Sequence, residues 1–273
     1  MQAGLRDLAE IPAHSRWVQV DGLHLHVLDY GGGGSPILMV PGISSPAVMM
    51  DFIARALPTT LRPLIVDMRG RGLSDSGDAY DLDTYVRDVA AVVDQLNLER
   101  PIMMGHSMGG RVAALAAAQG EIPIRGSIIV DPPMSGPNRG RYPVPVASLL
   151  VQHSESLLAT NLETIADQCR DWPAREAGMR ARWLSSCDAR ALAETHLGFE
   201  TEDFFTFWRE VPAPTVLMYG ADSPMVTDAG AAEAAEVNPD ARMVRVPDAG
   251  HMVFWDNPAA ALPALARAAA DLA

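Results

Sequence analysis

The chain has 273 residues, 48% hydrophobic and 20% charged, which suits one large α/β domain or such a domain carrying an insertion. Its 34 acidic and 21 basic residues give a net charge of −13, which repels nucleic acid and anionic membrane surfaces and argues against both as partners. Every basic residue is an arginine, so lysine Schiff-base mechanisms are excluded and recognition of a carboxylate by a side-chain cation falls to arginine.

The N-terminal stretch MQAGLRDLAEIPAHSR lacks the basic and apolar regions of a secretory signal. RWVQV and LHLHVLDY flank Asp21-Gly22, a pair suited to a type I′ turn, and predict a β-hairpin. After the glycine run 31–34, PILMV (36–40) and LRPLIVDM (61–68) read as buried strands, with a helix over 47–57 between them. LDTYVRDVAAVVDQLNL (82–98) places Tyr85, Val89, Val92, Val93 and Leu96 on one stripe and predicts an amphipathic helix. Strand 101–106, helix 108–119 and strand 126–131 follow. Later come strand 214–219, a helix around 228–237, strand 241–246 and a helix from about Pro258. This alternation predicts an α/β fold: a mostly parallel eight-stranded sheet, covered by helices on both faces and opened by an antiparallel hairpin. Residues 134–210 break the rhythm with helical stretches around 145–158, 161–185 and 188–209. They are expected to form a cap inserted after the sixth strand, leaving 1–133 and 211–273 as the core. No apolar run approaches the ~20 residues of a membrane span. Cys169 and Cys187 have neither scaffold nor metal-site spacing, so reduced thiols, a cytoplasmic location and no metal or cofactor are expected.

Gly105-His106-Ser107-Met108-Gly109 matches G-x-S-x-G where a strand turns into a helix. A serine at so sharp a turn needs a strained backbone and small neighbours, and its hydroxyl is then presented as a nucleophile. The Met108 amide, at the helix N-terminus, is one candidate oxyanion donor. The amide of Ile43, in VPGISS beside Gly42, is the other. The base must be one of seven histidines. His14 is assigned to a ragged N-terminus, and His24 and His26 to solvated hairpin positions. His106 should point away from Ser107, while His153 and His196 fall in the cap. His251 follows the last strand on a Gly-hinged loop, at the sheet edge where open α/β sheets assemble their sites, and is the expected base.

The hairpin start, VPGI, DMRGRGLSD, GHSMGG and DAGH together resemble the α/β-hydrolase family over nearly the whole chain outside the cap. Members usually place the triad acid in a G-x-x-D turn after the seventh strand. Here the turn reads Gly220-Ala221-Asp222-Ser223, with serine at the acid's position and Asp222 one residue early. The other candidate is Asp131, at the end of the sixth strand, where Pro132 and Pro133 fix the backbone after it. Reach and rigidity favour Asp131, with Asp222 as the alternative. The stretch VDPPMSGPNRGRYP (130–143) is similar to that of the formyl-amide deformylases of bacterial nicotinate breakdown, which take their acid from the sixth-strand position.

That resemblance implies a serine hydrolase acting on a small N-formyl amide acid through Ser107, Asp131 and His251. A lactonase, a carboxylesterase, a carbon–carbon bond hydrolase and a ligand receptor on the same scaffold are the alternatives. A carboxylate-bearing small molecule needs cations, for which Arg111, Arg180 and Arg182 are the candidates. The aromatics Trp172, Trp183, Phe204, Phe205 and Trp208 are expected to pack the cap's own core. The sequence assigns no oligomeric state.

Overall fold

A computed structural model describes residues 2–273, with side chains described from residue 6; Met1, the first residue of the expected core unit, lies outside them. The chain opens with α1 (Gln2–Ala9), β1 (His14–Val20), β2 (Leu23–Asp29) and β3 (Ser35–Val40). A 3-10 turn (Ala47–Met50) runs into the short α2 (Asp51–Arg55), then come β4 (Leu61–Val66), α3 (Leu82–Gln95), β5 (Ile102–His106), α4 (Met108–Gln119) and β6 (Gly126–Val130). Five helices follow: α5 (Val146–Leu157), α6 (Leu162–Asp167), α7 (Ala174–Trp183), α8 (Ala189–Thr201) and α9 (Phe204–Trp208). The chain ends with β7 (Thr215–Gly220), α10 (Asp228–Val237), β8 (Ala241–Val246), α11 (Val253–Asp256) and α12 (Pro258–Leu272).

The eight strands form one sheet in the order β1-β2-β4-β3-β5-β6-β7-β8. β1 pairs antiparallel with β2, and β2 with β4; every later pairing is parallel. The hairpin turn has positive φ at both Asp21 and Gly22, as a type I′ turn requires. The two-residue period of the strands sorts their side chains into two cores. Leu38, Val40, Leu64, Val66, Met103, Ile129 and Leu217 face one side, where α3 and α4 cover them with Val89, Val92, Val112 and Ala116. Ile37, Met39, Ile65, Met104, Ile128 and Val216 face the other, against Ile53 of α2 and Leu265 and Ala268 of α12.

Three expectations are corrected. His14 begins β1, paired with Asp29, instead of lying in a ragged terminus, and a helix, α1, precedes it. His26 is fully buried, not solvated, because β2 is an interior strand: Nδ1 bonds Asp67 Oδ2 at 2.8 Å and Nε2 bonds Ser15 Oγ at 2.9 Å. The single helical stretches expected over 161–185 and 188–209 are each broken. Pro173 starts α7 and Asp203 caps α9, each restarting the backbone.

Candidate active site

The strand register brings the first pieces together. His106, Val130 and Met218 are neighbours across β5, β6 and β7, so the residues just past the first two, Ser107 and Asp131, emerge side by side. The Ser107 amide donates to the Val130 carbonyl at 2.9 Å, and the Asp131 amide to the Met218 carbonyl at 2.8 Å. Both leave the sheet through a left-handed backbone, with φ of 57° at Ser107 and 45° at Asp131. Such conformations cost about 1–3 kcal/mol in a non-glycine residue and persist only where the surroundings enforce them. The enforcement at Ser107 is close packing. A Cβ on Gly105 would sit 1.9 Å from the Gly109 carbonyl oxygen, and one on Gly109 would sit 1.9 Å from that of Val40. Only glycine at both positions lets α4 start this close to β3 and β5.

His251 arrives from β8. Its loop folds back over the end of β7, with the Ala221 amide donating to the Val246 carbonyl and the Asp222 amide to that of Ala249. Asp256 braces the loop, accepting from the Gly250 amide at 2.9 Å and from Trp172 Nε1 at 3.1 Å. In the resulting array, Ser107 Oγ lies 3.0 Å from His251 Nε2, and His251 Nδ1 lies 2.7 Å from Asp131 Oδ2. With the proton on Nδ1, the imidazole is held by a fully buried carboxylate and its free nitrogen faces the serine hydroxyl. This geometry can withdraw the Ser107 proton during attack on an acyl carbon and hold the imidazolium that forms.

Asp222 is exposed and its carboxylate makes no hydrogen bond to a described residue, so it stands apart from the array. Ser223, at the position where an acid is usual, instead donates its hydroxyl to Asp131 Oδ2 at 2.6 Å, while the Gly220 amide reaches Oδ1 at 3.1 Å. The Ser223 oxygen also accepts from the Met225 and Val226 amides, which fixes the direction of its proton. The Ser223–Asp131 contact was missed in the sequence; the signal was a serine standing where an acid is usual, since a carboxylate at the end of β6 leaves a hydroxyl-sized gap at the end of β7.

The amides of Ile43 and Met108 donate to no described group and flank Ser107. A Cβ on Gly42 would lie 3.4 Å from the Ser107 Cβ, so the Ile43 loop closes tightly over the serine. Arg71, fully buried, holds that loop by donating to the Ile43 carbonyl at 3.0 Å and to Thr195 of α8 at 2.9 Å. His106 does project away from Ser107, into an aromatic pocket with Phe254 and Trp255. Its Nε2–H donates to the His251 carbonyl at 2.9 Å, steadying the His251 backbone. Burial, with the nearby His251, lowers the His106 pKa to about 3, so it stays neutral.

Ser107 and His251 open into a cavity of about 410 Å³. One wall comes from the strand ends (Ile43, Ser44, Met225) and the other from α5–α7 and the segment before them (Tyr142, Gln168, Trp172, Arg180). Of the three candidate arginines, Arg180 alone lines it. Its Nη1 donates to the carbonyl and hydroxyl of Ser44 at 2.7 and 2.8 Å. Nε and Nη2 bond no described residue, and no described carboxylate lies within ion-pair distance. Burial lowers its pKa from the ordinary arginine value, the mark of a cation without a full counter-charge. Arg182, two residues on, points to the opposite side and makes a two-pronged contact with Asp7 of α1 at 2.9 and 3.0 Å. Arg111 is sealed beneath α8 and α9, donating to the Glu202 carbonyl at 2.7 Å with its guanidinium over Phe199 and Phe207. Trp172 lines the cavity, contrary to its expected place in a self-contained aromatic core, while Phe204 and Trp208 are buried and stacked on each other. Among the described residues no cluster of metal-ligating side chains occurs, and no helix is long and apolar enough to cross a membrane.

Comparison with known proteins agrees with this geometry. The model of the alpha/beta hydrolase family matches residues 37–264. The N-formylmaleamate deformylase of Pseudomonas putida is 34% identical over 242 residues, covering 88% of this chain and 90% of the relative. The 2-(acetamidomethylene)succinate hydrolase of Mesorhizobium japonicum is 28% identical, covering 95% and 96%. The crystal structure of the N-formylmaleamic acid deformylase of Pseudomonas putida S16 superposes with a TM-score of 0.86 at 32% identity, covering 92% of this chain and all of that one. The protein is a hydrolase of small molecules, and its chain belongs to the alpha/beta hydrolase family.

Proposed function

We propose that the protein hydrolyses a small N-formyl amide acid, N-formylmaleamate or a close analogue, to formate and the free amide acid. Ser107 attacks the formyl carbon while His251 takes its proton, and Asp131 holds the imidazole in the required tautomer. The Ile43 and Met108 amides receive the oxyanion, each donor contributing on the order of 3 kcal/mol to the transition state. His251 then protonates the departing nitrogen, water attacks the formyl-enzyme by the reverse roles, and formate leaves.

The observation that carries the substrate class is Arg180. A half-buried guanidinium in the same cavity as Ser107, with two nitrogens free and no acidic partner, supports a substrate carboxylate as its missing counter-ion. The names of both relatives describe a short acyl group on nitrogen and a small carboxylate skeleton. The same reading assigns residues 134–210 to a cap that shapes the substrate pocket, leaving 1–133 and 211–273 as the core. It puts the enzyme in nicotinate degradation, in the cytoplasm, in keeping with the unpaired Cys169 and Cys187.

The test is formate release from N-formylmaleamate by the purified protein. A rate no better than that on 4-nitrophenyl acetate refutes the substrate. Ser107→Ala should abolish both formate release and labelling by a fluorophosphonate, and persistent labelling refutes the nucleophile.

A further inference from the structure

Tyr142 lies between β6 and α5, and the reaction steps proposed above assign it no role. The residue is 6% exposed, its ring edge-on to His196, with ring centroids 5.2 Å apart, and tilted against Phe199 at 4.8 Å. His196 is itself fixed, donating from Nε2 to the Val144 carbonyl at 2.8 Å. The ring is therefore rigid. The hydroxyl opens into the Ser107 cavity, within hydrogen-bonding reach of the serine hydroxyl and within the fields of Arg180 and Asp131. Burial raises the phenol well above its ordinary pKa, so it is a neutral O–H donor at any working pH. A fixed, buried donor whose protein partner is the nucleophile itself is freed when that oxygen bonds the substrate, which points to a substrate atom as its next partner.

The chemistry of an N-formyl amide says which atom. Attack forms the Ser107 Oγ–carbon bond, sends the serine proton to His251 Nε2 and places a negative charge on the formyl oxygen. Collapse restores the formyl carbonyl and breaks the carbon–nitrogen bond, whose electron pair goes to nitrogen. His251 returns its proton to that nitrogen. Unlike the oxygen of an ester leaving group, this nitrogen is conjugated with a second carbonyl, so the departing charge spreads onto the second carbonyl oxygen. The two backbone amides serve the formyl oxygen, His251 serves the nitrogen and Arg180 serves the carboxylate. The second carbonyl oxygen has no donor among these groups.

We propose that the Tyr142 hydroxyl is a catalytic residue that donates a hydrogen bond to the second carbonyl oxygen of an N-acyl amide and stabilises the leaving amide. The inference rests on the reading of the protein as an N-formyl amide hydrolase. It makes the enzyme selective for leaving groups that carry a carbonyl on the departing atom.

The test is Tyr142→Phe, which keeps the wedged ring, assayed on two substrates. On N-formylmaleamate, kcat should fall about 10²-fold, the scale of removing one donor from a developing charge. On 4-nitrophenyl acetate, whose phenolate has no second carbonyl, the fall should stay under about 3-fold on the same reasoning. The ratio between substrates is read within one preparation, so partial unfolding of the variant does not mimic the result. An equal fall on both substrates overturns the proposal and assigns Tyr142 to the oxyanion or the nucleophile. No fall on either also overturns it. A wild-type protein that cleaves the ester but no N-formyl amide refutes the proposed function, and this inference falls with it.

Discussion

Replacing Asp131 by asparagine strikes the support of the proposed base. The carboxylate is fully buried, and Oδ2 accepts from both His251 Nδ1 at 2.7 Å and Ser223 Oγ at 2.6 Å, while Oδ1 accepts from the Gly220 amide. Asparagine has one acceptor oxygen and one donor nitrogen. With its oxygen kept on the Gly220 amide, its NH₂ takes the place of Oδ2 and faces both Ser223 Oγ and His251 Nδ1, so the imidazole must move its proton to Nε2. The ring then presents a donor to Ser107 and can no longer accept its proton. The loss of tautomer and of imidazolium stabilisation predicts a fall in kcat of about 10³–10⁴, or roughly 4–5.5 kcal/mol in barrier height. Ser223→Ala removes only one of the hydroxyl and amide donors and should cost about tenfold. Asp222→Asn, at an exposed carboxylate without a partner, should stay within about twofold. The assay is kcat for formate release under saturating substrate, with thermal melts to confirm that each variant is folded. A deep loss in Asp222→Asn, or an Asp131→Asn enzyme within tenfold of wild type, refutes the assignment.

Arg180→Met should lower kcat/KM for a carboxylate substrate by about 10², since a charge-assisted pair contributes roughly 1.5–3 kcal/mol. The same change should raise the melting temperature, because it removes a half-buried cation that has no acidic partner. Arg182→Ala should do the reverse, lowering stability through the lost Asp7 contact while leaving KM in place; equal KM effects from the two would refute the division of roles. His106 gives a pH prediction. Its folded pKa is depressed to about 3, so its neutral form supports the fold fully above the unfolded value near 6.5. As pH falls from there toward 3, the unfolded chain takes up a proton that the native state does not, and stability drops by about 1.4 kcal/mol per pH unit. Urea unfolding between pH 7.5 and 4.5 should therefore be flatter by about one proton in His106→Asn than in wild type, and equal slopes would count against a neutral buried imidazole.

The legible part of the molecule was whatever depends on near neighbours in the chain. Helix 108–119 falls where its start at Ser107 and its stop at Gly120 put it, and β8 and α10 keep the expected bounds. The reason is that two-residue and 3.6-residue periods, turn chemistry and the G-x-S-x-G crowding are local constraints, decided before any distant contact forms. That Ser107 and His251 would lie together was legible for a related reason: both follow parallel strands, and in open α/β sheets sites assemble outside the carboxyl ends of the strands.

What the chain alone left open was direction. Arg180 and Arg182 are the same residue type two positions apart, but on a helix two positions are about 200° of rotation, so one enters the cavity and the other reaches α1. Nothing in the sequence says which side of α7 faces in, because that is decided by how α5–α9 pack over the ends of strands remote in the chain. Tyr142 is hidden in the same way, since its ring is oriented by His196 and Phe199, both over 50 residues later. The choice between Asp131 and Asp222 likewise rests on the register of β6 against β7. That register points one carboxylate at the imidazole and leaves the other, one residue out of phase on its turn, in water.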